Sequence, residues 1–167
     1  MRANKRLQEE FEKYIVENKE KFYRIGYSYV KNADDALDIV QEAVLKAMSS
    51  MAGLKNPEYM KTWFYRILIN TALDFLRKKK KIVQVDEDFF SANNEAHTDT
   101  YYDMDLHRAL DNLPDNYKSI IILRFFEDLK IQEIARVLDM NENTVKTRLY
   151  KSLEILRINL SEEDING

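Results

Sequence analysis

The hydrophobic positions of this chain recur at helical spacing along most of its length. The clearest case lies near the C-terminal end. Ile131, Ile134, Ala135 and Leu138 stand at i, i+3, i+4 and i+7, one apolar face of a helix. Asp139, Met140 and Asn141 interrupt the pattern, and Asn141 suits an N-cap because its side-chain oxygen can accept from a free backbone N–H. Val145, Leu149, Leu153 and Leu156 then form a second apolar stripe. Two amphipathic helices joined by a short turn read as a helix-turn-helix. At about 100° per residue, Thr144, Thr147, Arg148 and Lys151 point away from that stripe. From Asn143 to Lys151 there are 3 basic residues and no acid. A plain helical hairpin would show the same stripes. The threonines set in a basic strip favour a helix that enters a DNA major groove by its N-terminal end.

The rest of the chain has the same periodicity. Phe11, Tyr14, Ile15, Phe22, Ile25 and Tyr29 predict one or two helices between Leu7 and Val30. Asn32 to Met48 reads as a helix capped by Asn32, with a small-residue stripe of Ala36, Val40, Ala43 and Ala47. Its other side carries Asp34, Asp38 and Glu42 in an i, i+4 ladder, with Gln41 beside it. Each like-charge step costs roughly 0.2–0.5 kcal/mol in an isolated helix. Such a face is either solvated or a docking surface for a basic partner.

Ser49 to Met60 reads as a loop around Gly53 and Pro57, with Leu54, Lys55, Asn56 and Tyr59 in it. Lys61 to Lys81 reads as a long helix with Phe64, Leu68, Thr71, Ala72 and Phe75 facing a core. Trp63, Arg66, Asn70, Asp74, Arg77 and Lys81 line the opposite strip. An aromatic ring among basic groups can hold single-stranded bases by stacking and phosphate contact. A partly buried Trp at a domain edge would fit the same pattern. Ile82 to Asp105 is polar and acidic and reads as a linker, with Phe89-Phe90 and Tyr101-Tyr102 as local anchors. Leu106 to Leu113 and Asn116 to Glu127 predict two more helices, broken at Pro114-Asp115. Ile120, Ile121, Leu123, Phe125 and Phe126 would supply a core for the helix-turn-helix. The tail Ser161–Gly167 reads as loose.

Composition narrows the class. Only 3 Gly and 2 Pro among 167 residues suit helices and disfavour a turn-rich β fold. The expected fold is all-α: two small helical domains, 1–81 and 106–167, joined by an acidic linker, 82–105. With no Cys, disulfides and thiolate chemistry are excluded, which is compatible with the cytoplasm. No apolar run reaches transmembrane length, and the N-terminus lacks a signal-peptide core. His97 and His107 have no partners at ligand spacing, so neither metal nor cofactor is expected. No phosphate loop, nucleophile elbow or catalytic carboxylate pair occurs, so an enzyme is not expected. The net charge of −3 hides an uneven distribution. Residues 1–81 hold 17 basic and 11 acidic side chains, residues 82–105 none and 7, and residues 106–167 hold 9 and 11.

The order of these segments resembles a bacterial sigma factor of the extracytoplasmic function type. DDALDIVQEAVLKA is similar to that family's core-polymerase-binding helix, and KTWFYRILINTALDFLRKKKK to its helix for the minus-10 element. LPDNYKSIIILRFFEDLKIQEIARVLDMNENTVKTRLYKSLEILR resembles its minus-35 domain. The wording of Ser28–Asn32, Asp38–Glu42 and Asn143–Tyr150 looks closest to sigma-V-like members; Asn143 stands where many members have Gly.

The resemblance implies that Asp38, Gln41 and Glu42 bind core RNA polymerase at the clamp helices of its beta-prime subunit. It implies minus-10 contacts from Leu54, Lys55, Asn56, Tyr59, Trp63, Arg66, Asn70 and Arg77. Minus-35 contacts would come from Asn143, Thr144, Lys146, Thr147, Arg148 and Lys151. It further implies contact with the polymerase beta flap, and a role in cell-envelope stress. A membrane-bound anti-sigma factor would hold the protein inactive at the inner face of the membrane. No stable homo-oligomer is expected. Two other classes fit parts of the pattern. A helix-turn-helix regulator would need an effector pocket or phospho-acceptor, and a bridging adaptor would leave the basic strip from Arg66 to Lys81 unused.

Overall fold

The computed structural model describes residues 2–85 and 109–159. The linker beyond Val85 with its aromatic pairs, His97 and His107, the start of the helix expected from Leu106, and the tail lie outside the described residues. Every regular element described is helical: α1 (Arg2–Val30), α2 (Ala33–Ser49), α3 (Met60–Val85), α4 (Asp115–Ile121), α5 (Ile131–Leu138) and α6 (Glu142–Asn159). Short 3-10 turns occupy Met51–Gly53 and Pro57–Tyr59 in the expected loop. None of the described helices is long and apolar enough to cross a membrane.

The N-terminal segment forms one helix of 29 residues. It ends at Lys31, whose φ of 52° is left-handed, and whose N–H donates to the Tyr27 carbonyl at 2.8 Å. Asn32 then caps α2, its side chain accepting from the Asp35 N–H at 3.0 Å. The small residues let α1 and α2 approach closely. A Cβ on Gly26 would stand 3.3 Å from the Ala36 carbonyl oxygen and 3.5 Å from its Cα. Ala36, Ala43 and Ala47 are buried on the facing side.

An aromatic cluster closes this half. Phe64 of α3 meets Phe22 at 4.8 Å between ring centroids and Phe11 at 5.6 Å, both edge-on. All three rings are fully buried. Phe64→Ala is expected to cost about 3–5 kcal/mol, the usual price of an unfilled aromatic cavity, measurable by urea unfolding. α3 continues through Val85, four residues past its expected end at Lys81.

In the C-terminal half two expectations are corrected. Phe125 and Phe126 were assigned to the core, yet they are 55% and 48% exposed. The cause is a π-helical turn at Ile122–Phe126, closed by the Glu127 N–H donating to the Ile122 carbonyl at 3.0 Å. One extra residue in the turn shifts the phase; Leu123 is buried as expected, and Leu129 beyond the turn is buried in place of the two phenylalanines. Leu153 is likewise exposed. The buried side of α6 runs through Val145, Ser152 and Leu156, with Leu149 partly buried. Ser152 is tolerated there because its hydroxyl donates to the Arg148 carbonyl at 2.6 Å.

The two halves share one hydrophobic core. α3 packs against α5, and Tyr65, Ile69, Ile120, Leu123 and Ile134 lie in the same buried cluster. Three buried polar contacts fasten the junction. The Tyr65 hydroxyl donates to the Glu127 carboxylate, which Lys21 also approaches at 3.8 Å. Tyr29 and Ser119 share a hydrogen bond of 2.5 Å; Ser119 donates to the Asp115 carbonyl, so the Tyr29 proton serves this contact. Lys118, only 3% exposed, donates to the Ser28 carbonyl at 3.1 Å in the last turn of α1. A cation suits that negative helix end. Burial, then the charge of Lys31, lowers the Lys118 pKa, while Asp115 and Asp111 oppose the shift. Burial, then the bond to Glu127, raises the Tyr65 pKa.

Candidate nucleic-acid interface

Three faces carry the residues singled out in the sequence. On α2, Asp38, Gln41 and Glu42 are all exposed. Among the described residues Glu42 is the member of the acidic ladder with an ion pair, to Lys46 at 3.6 Å. Asp34 and Asp38 have no ion pair among the described residues. Hydropathy periodicity assigned no apolar residue to this face. The structure places Leu37, Leu45 and Met48 there, all exposed. At 100° per residue Leu45 falls between Asp34 and Asp38, and Leu37 and Met48 flank the acids on the side of Gln41, so the face is acidic with an apolar edge.

On α3 the expected strip is only partly assembled. Leu54 was counted in it, but Leu54 is 7% exposed and belongs to the core. A leucine in a short loop between packed helices is drawn inward by its own hydrophobicity. Lys55 and Asn56 are exposed, and the Asn56 side chain accepts from the Glu58 N–H at 3.0 Å, capping the turn that follows. Trp63 is half-buried, edge-on to Phe11 at 5.8 Å, so its ring is partly committed to packing. Asn70 is exposed. Asp74 pairs with Arg77 at 3.1 Å, which accounts for the one acid in the strip.

Residues from the other half reach the remaining two positions. The Arg66 guanidinium lies 3.6 Å from the Asp139 carboxylate. The Arg136 guanidinium stands over the Tyr59 ring, 5.3 Å from its centroid. Nothing in the sequence pattern signalled either contact, because each depends on how the two halves pack.

On α6 the cap is as expected. The Asn143 N–H donates to the Asn141 side chain at 2.7 Å. Asn143, Lys146, Thr147 and Lys151 are exposed, and Thr144 and Arg148 are half-buried at the edge of the same face. The Thr147 hydroxyl donates to the Asn143 carbonyl at 2.9 Å, which leaves its lone pairs free to accept. A shallow groove beside this face is lined by Lys130, Ile131, Gln132, Glu142 and Lys146. Lys130 and Gln132 carry no signal in the sequence pattern, since Lys130 precedes the apolar stripe of α5 and Gln132 lies off it. Asp139, which ends α5, is left-handed at φ 53°, a conformation Asp tolerates better than most residues.

Comparison with known proteins agrees on both halves. Residues 14–82 match the family described as Sigma-70 region 2, and residues 103–156 match Sigma-70, region 4. The chain is 56% identical over 152 residues to the RNA polymerase sigma factor SigV of Bacillus subtilis, covering 91% of this chain and 92% of that protein. It is 29% identical over 159 residues to the ECF RNA polymerase sigma factor SigW of the same organism, covering 86% and 85%. Among solved structures, the sigma factor RpoE from Bartonella quintana, crystallised with the anti-sigma factor NepR, is similar with a TM-score of 0.77. That likeness covers 90% of this chain and 96% of RpoE at 22% identity, and shows the fold. Two family regions in order, and a relative matched over nearly its whole length, place this protein among transcription specificity factors and not among enzymes. The chain belongs to the RNA polymerase sigma factors of the sigma-70 family, and within them to the extracytoplasmic function type.

Proposed function

We propose that this chain docks on core RNA polymerase through α2, and reads promoter DNA with α3 and α6. The observation that carries the reading is the α2 face, where Asp34, Asp38, Gln41 and Glu42 are exposed together with Leu37, Leu45 and Met48. A solvated face needs no exposed leucine among its acids and no apolar edge beside them. A docking face uses both, apolar groups for burial and charge for register. The fitting partner is a basic, partly apolar helical surface such as the beta-prime clamp helices. The test is co-purification: a tagged chain should retain core polymerase and direct it to start at specific promoters. A helix-turn-helix regulator or an adaptor would not.

The α6 face supports recognition of the minus-35 element, with Thr144, Thr147, Arg148 and Lys151 towards the bases and Asn143 and Lys146 near phosphates. The domain limits follow the same division: 1–81 for polymerase and the minus-10 element, 106–167 for the minus-35 element and the beta flap. Arg148→Ala is expected to lose on the order of 1–3 kcal/mol and relax specificity at one position. Lys146→Ala should weaken all sequences alike and flatten the salt dependence, as measured by anisotropy titrations at several salt concentrations. The anti-sigma complexes of solved sigma factors support control of this chain by an anti-sigma factor. That this inhibitor is membrane-bound and responsive to envelope stress follows from the family resemblance. The chain would then lie in the cytoplasm, at the inner face of the membrane while inhibited.

A further inference from the structure

We infer that α1 supplies a second wall of the docking surface, so that the partner lies as one amphipathic helix along the seam between α1 and α2. The inference rests on the proposed docking through α2 and extends it to three residues of α1, Val16, Tyr23 and Tyr27. Only Lys31 and Asn32 join the two helices, which therefore run antiparallel. They touch where Gly26 meets Ala36. On one side of that contact lies α3. Phe22 of α1 meets Phe64 there, and Asp35 and Lys46 of α2 bond to Lys79 and Thr71. At about 100° per residue, Val16, Tyr23 and Tyr27 fall on the opposite side, within about 40° of one another. Leu37, Val44 and Met48 of α2 turn to that same side. The heights match as well. Counted from the Gly26–Ala36 contact at equal rise, Leu37 stands between Tyr23 and Tyr27, while Val44 and Met48 bracket Val16.

Val16 is 66% exposed, Leu37 48% and Met48 41%, and the two tyrosines and Val44 are half-buried. The tyrosine rings lie 6.1 Å apart between centroids. One exposed valine or leucine would be ordinary. Apolar side chains that merge across two helices are not, and from Val16 to Tyr27 this strip runs about 16 Å, some three helical turns. The strip selects its occupant. Both of its walls are helices with their backbone bonds closed, so a strand finds no edge to pair with. The residues on α1 recur at i, i+7 and i+11, the spacing at which one helix seats against another. Charge then sets the rotation of the occupant about its axis. Beyond Gln41 the α2 rim is acidic, with Asp34 and Asp38, whereas the α1 rim carries Glu20 and Arg24, one of each sign. The fitting helix turns a basic edge to α2, an apolar stripe to the seam, and a polar edge to the tyrosine hydroxyls.

Photocrosslinking of the full chain to purified core polymerase tests the contact. The photoreactive residue p-benzoylphenylalanine takes the place of Val16, Tyr27 or Gln41 in turn. All three should crosslink to the same polymerase subunit, and Asp38→Arg with Glu42→Arg should abolish all three crosslinks. Val16→Gln with Tyr27→Gln removes apolar surface and keeps side chains that suit a helix. It should raise the dissociation constant for core polymerase about tenfold, through the off-rate, with the salt dependence unchanged. Circular dichroism reports whether the variant is folded. If it is not, Val16→Gln alone, at an exposed position, carries the measurement with an expected loss of about threefold. Crosslinking from Gln41 but from neither α1 position, or parent-like affinity in the folded glutamine variant, would overturn the second wall and leave docking through α2 standing. Crosslinks from α1 that survive charge reversal on α2 would also overturn it, because the two walls would then serve different contacts. No crosslink from any of the three positions, with charge reversal equally without effect, would overturn docking through α2 itself.

Discussion

Asp38→Arg combined with Glu42→Arg is expected to abolish binding to core polymerase while the free protein stays helical. The two sites sit one turn apart on the exposed face of α2, and neither supports the fold. Glu42 contributes an exposed i, i+4 pair with Lys46, and reversing it sets two cations at that spacing. The cost to the helix is roughly 0.2–0.5 kcal/mol. Against a basic partner the same reversal turns attraction into like-charge contact, which costs several kcal/mol. That lowers affinity on the order of a hundredfold or more. Size-exclusion co-elution and surface-immobilised polymerase would measure the loss, and far-UV circular dichroism would certify the fold. Leu37→Ala with Leu45→Ala separates the apolar share, and should raise the off-rate with little change in salt dependence. Parent-like affinity in the charge-reversed protein would remove α2 as the docking face.

Helix positions were legible because capping and periodicity act locally. Asn32 and Asn141 cap where their spacing to the next apolar residue says they should. The acidic face of α2 was legible for the same reason, since a like-charge ladder is a property of one helix. What was not legible depends on a second element. Tyr65 and Ile69 look like ordinary apolar residues off the main stripe of α3, yet both are buried in the cluster that takes in residues of both halves. Leu54 lies in the loop expected around Gly53 and Pro57, yet it joins the core cluster. Phe125 and Phe126 were misplaced because a π turn inserts a residue that no 3.6 periodicity anticipates. Leu153 fits the apolar stripe by type, yet Ser152, which bonds back to its own helix, takes the buried position. Trp63 kept both of its readings: it stands in the polar strip, and it is half-buried against Phe11.

That double commitment decides how strand opening should be tested. Asn70→Ala is expected to leave binding to polymerase and to minus-35 DNA intact, and to fail at opening the promoter. Asn70 is exposed on α3, and its amide offers both a donor and an acceptor for a base edge. A paired base cannot present that edge together with its face, so one base must leave the stack at a cost of a few kcal/mol. Stacking on an aromatic returns about 1–3 kcal/mol, and phosphate contacts from Arg66 and the basic end of α3 supply more. Removing the amide removes the part of the balance realised only after the base has moved. Permanganate reactivity of unpaired thymines should therefore drop on duplex promoter, and recover on a template already mismatched over the minus-10 bubble. Trp63→Ala should behave alike but also lower the melting temperature, because it leaves a gap beside Phe11. Trp63→Phe retains most of the packing and some stacking, and should restore stability more fully than opening. If Asn70→Ala opens duplex promoter normally, or is equally impaired on duplex and mismatched templates, the α3 strip does not trap the melted strand.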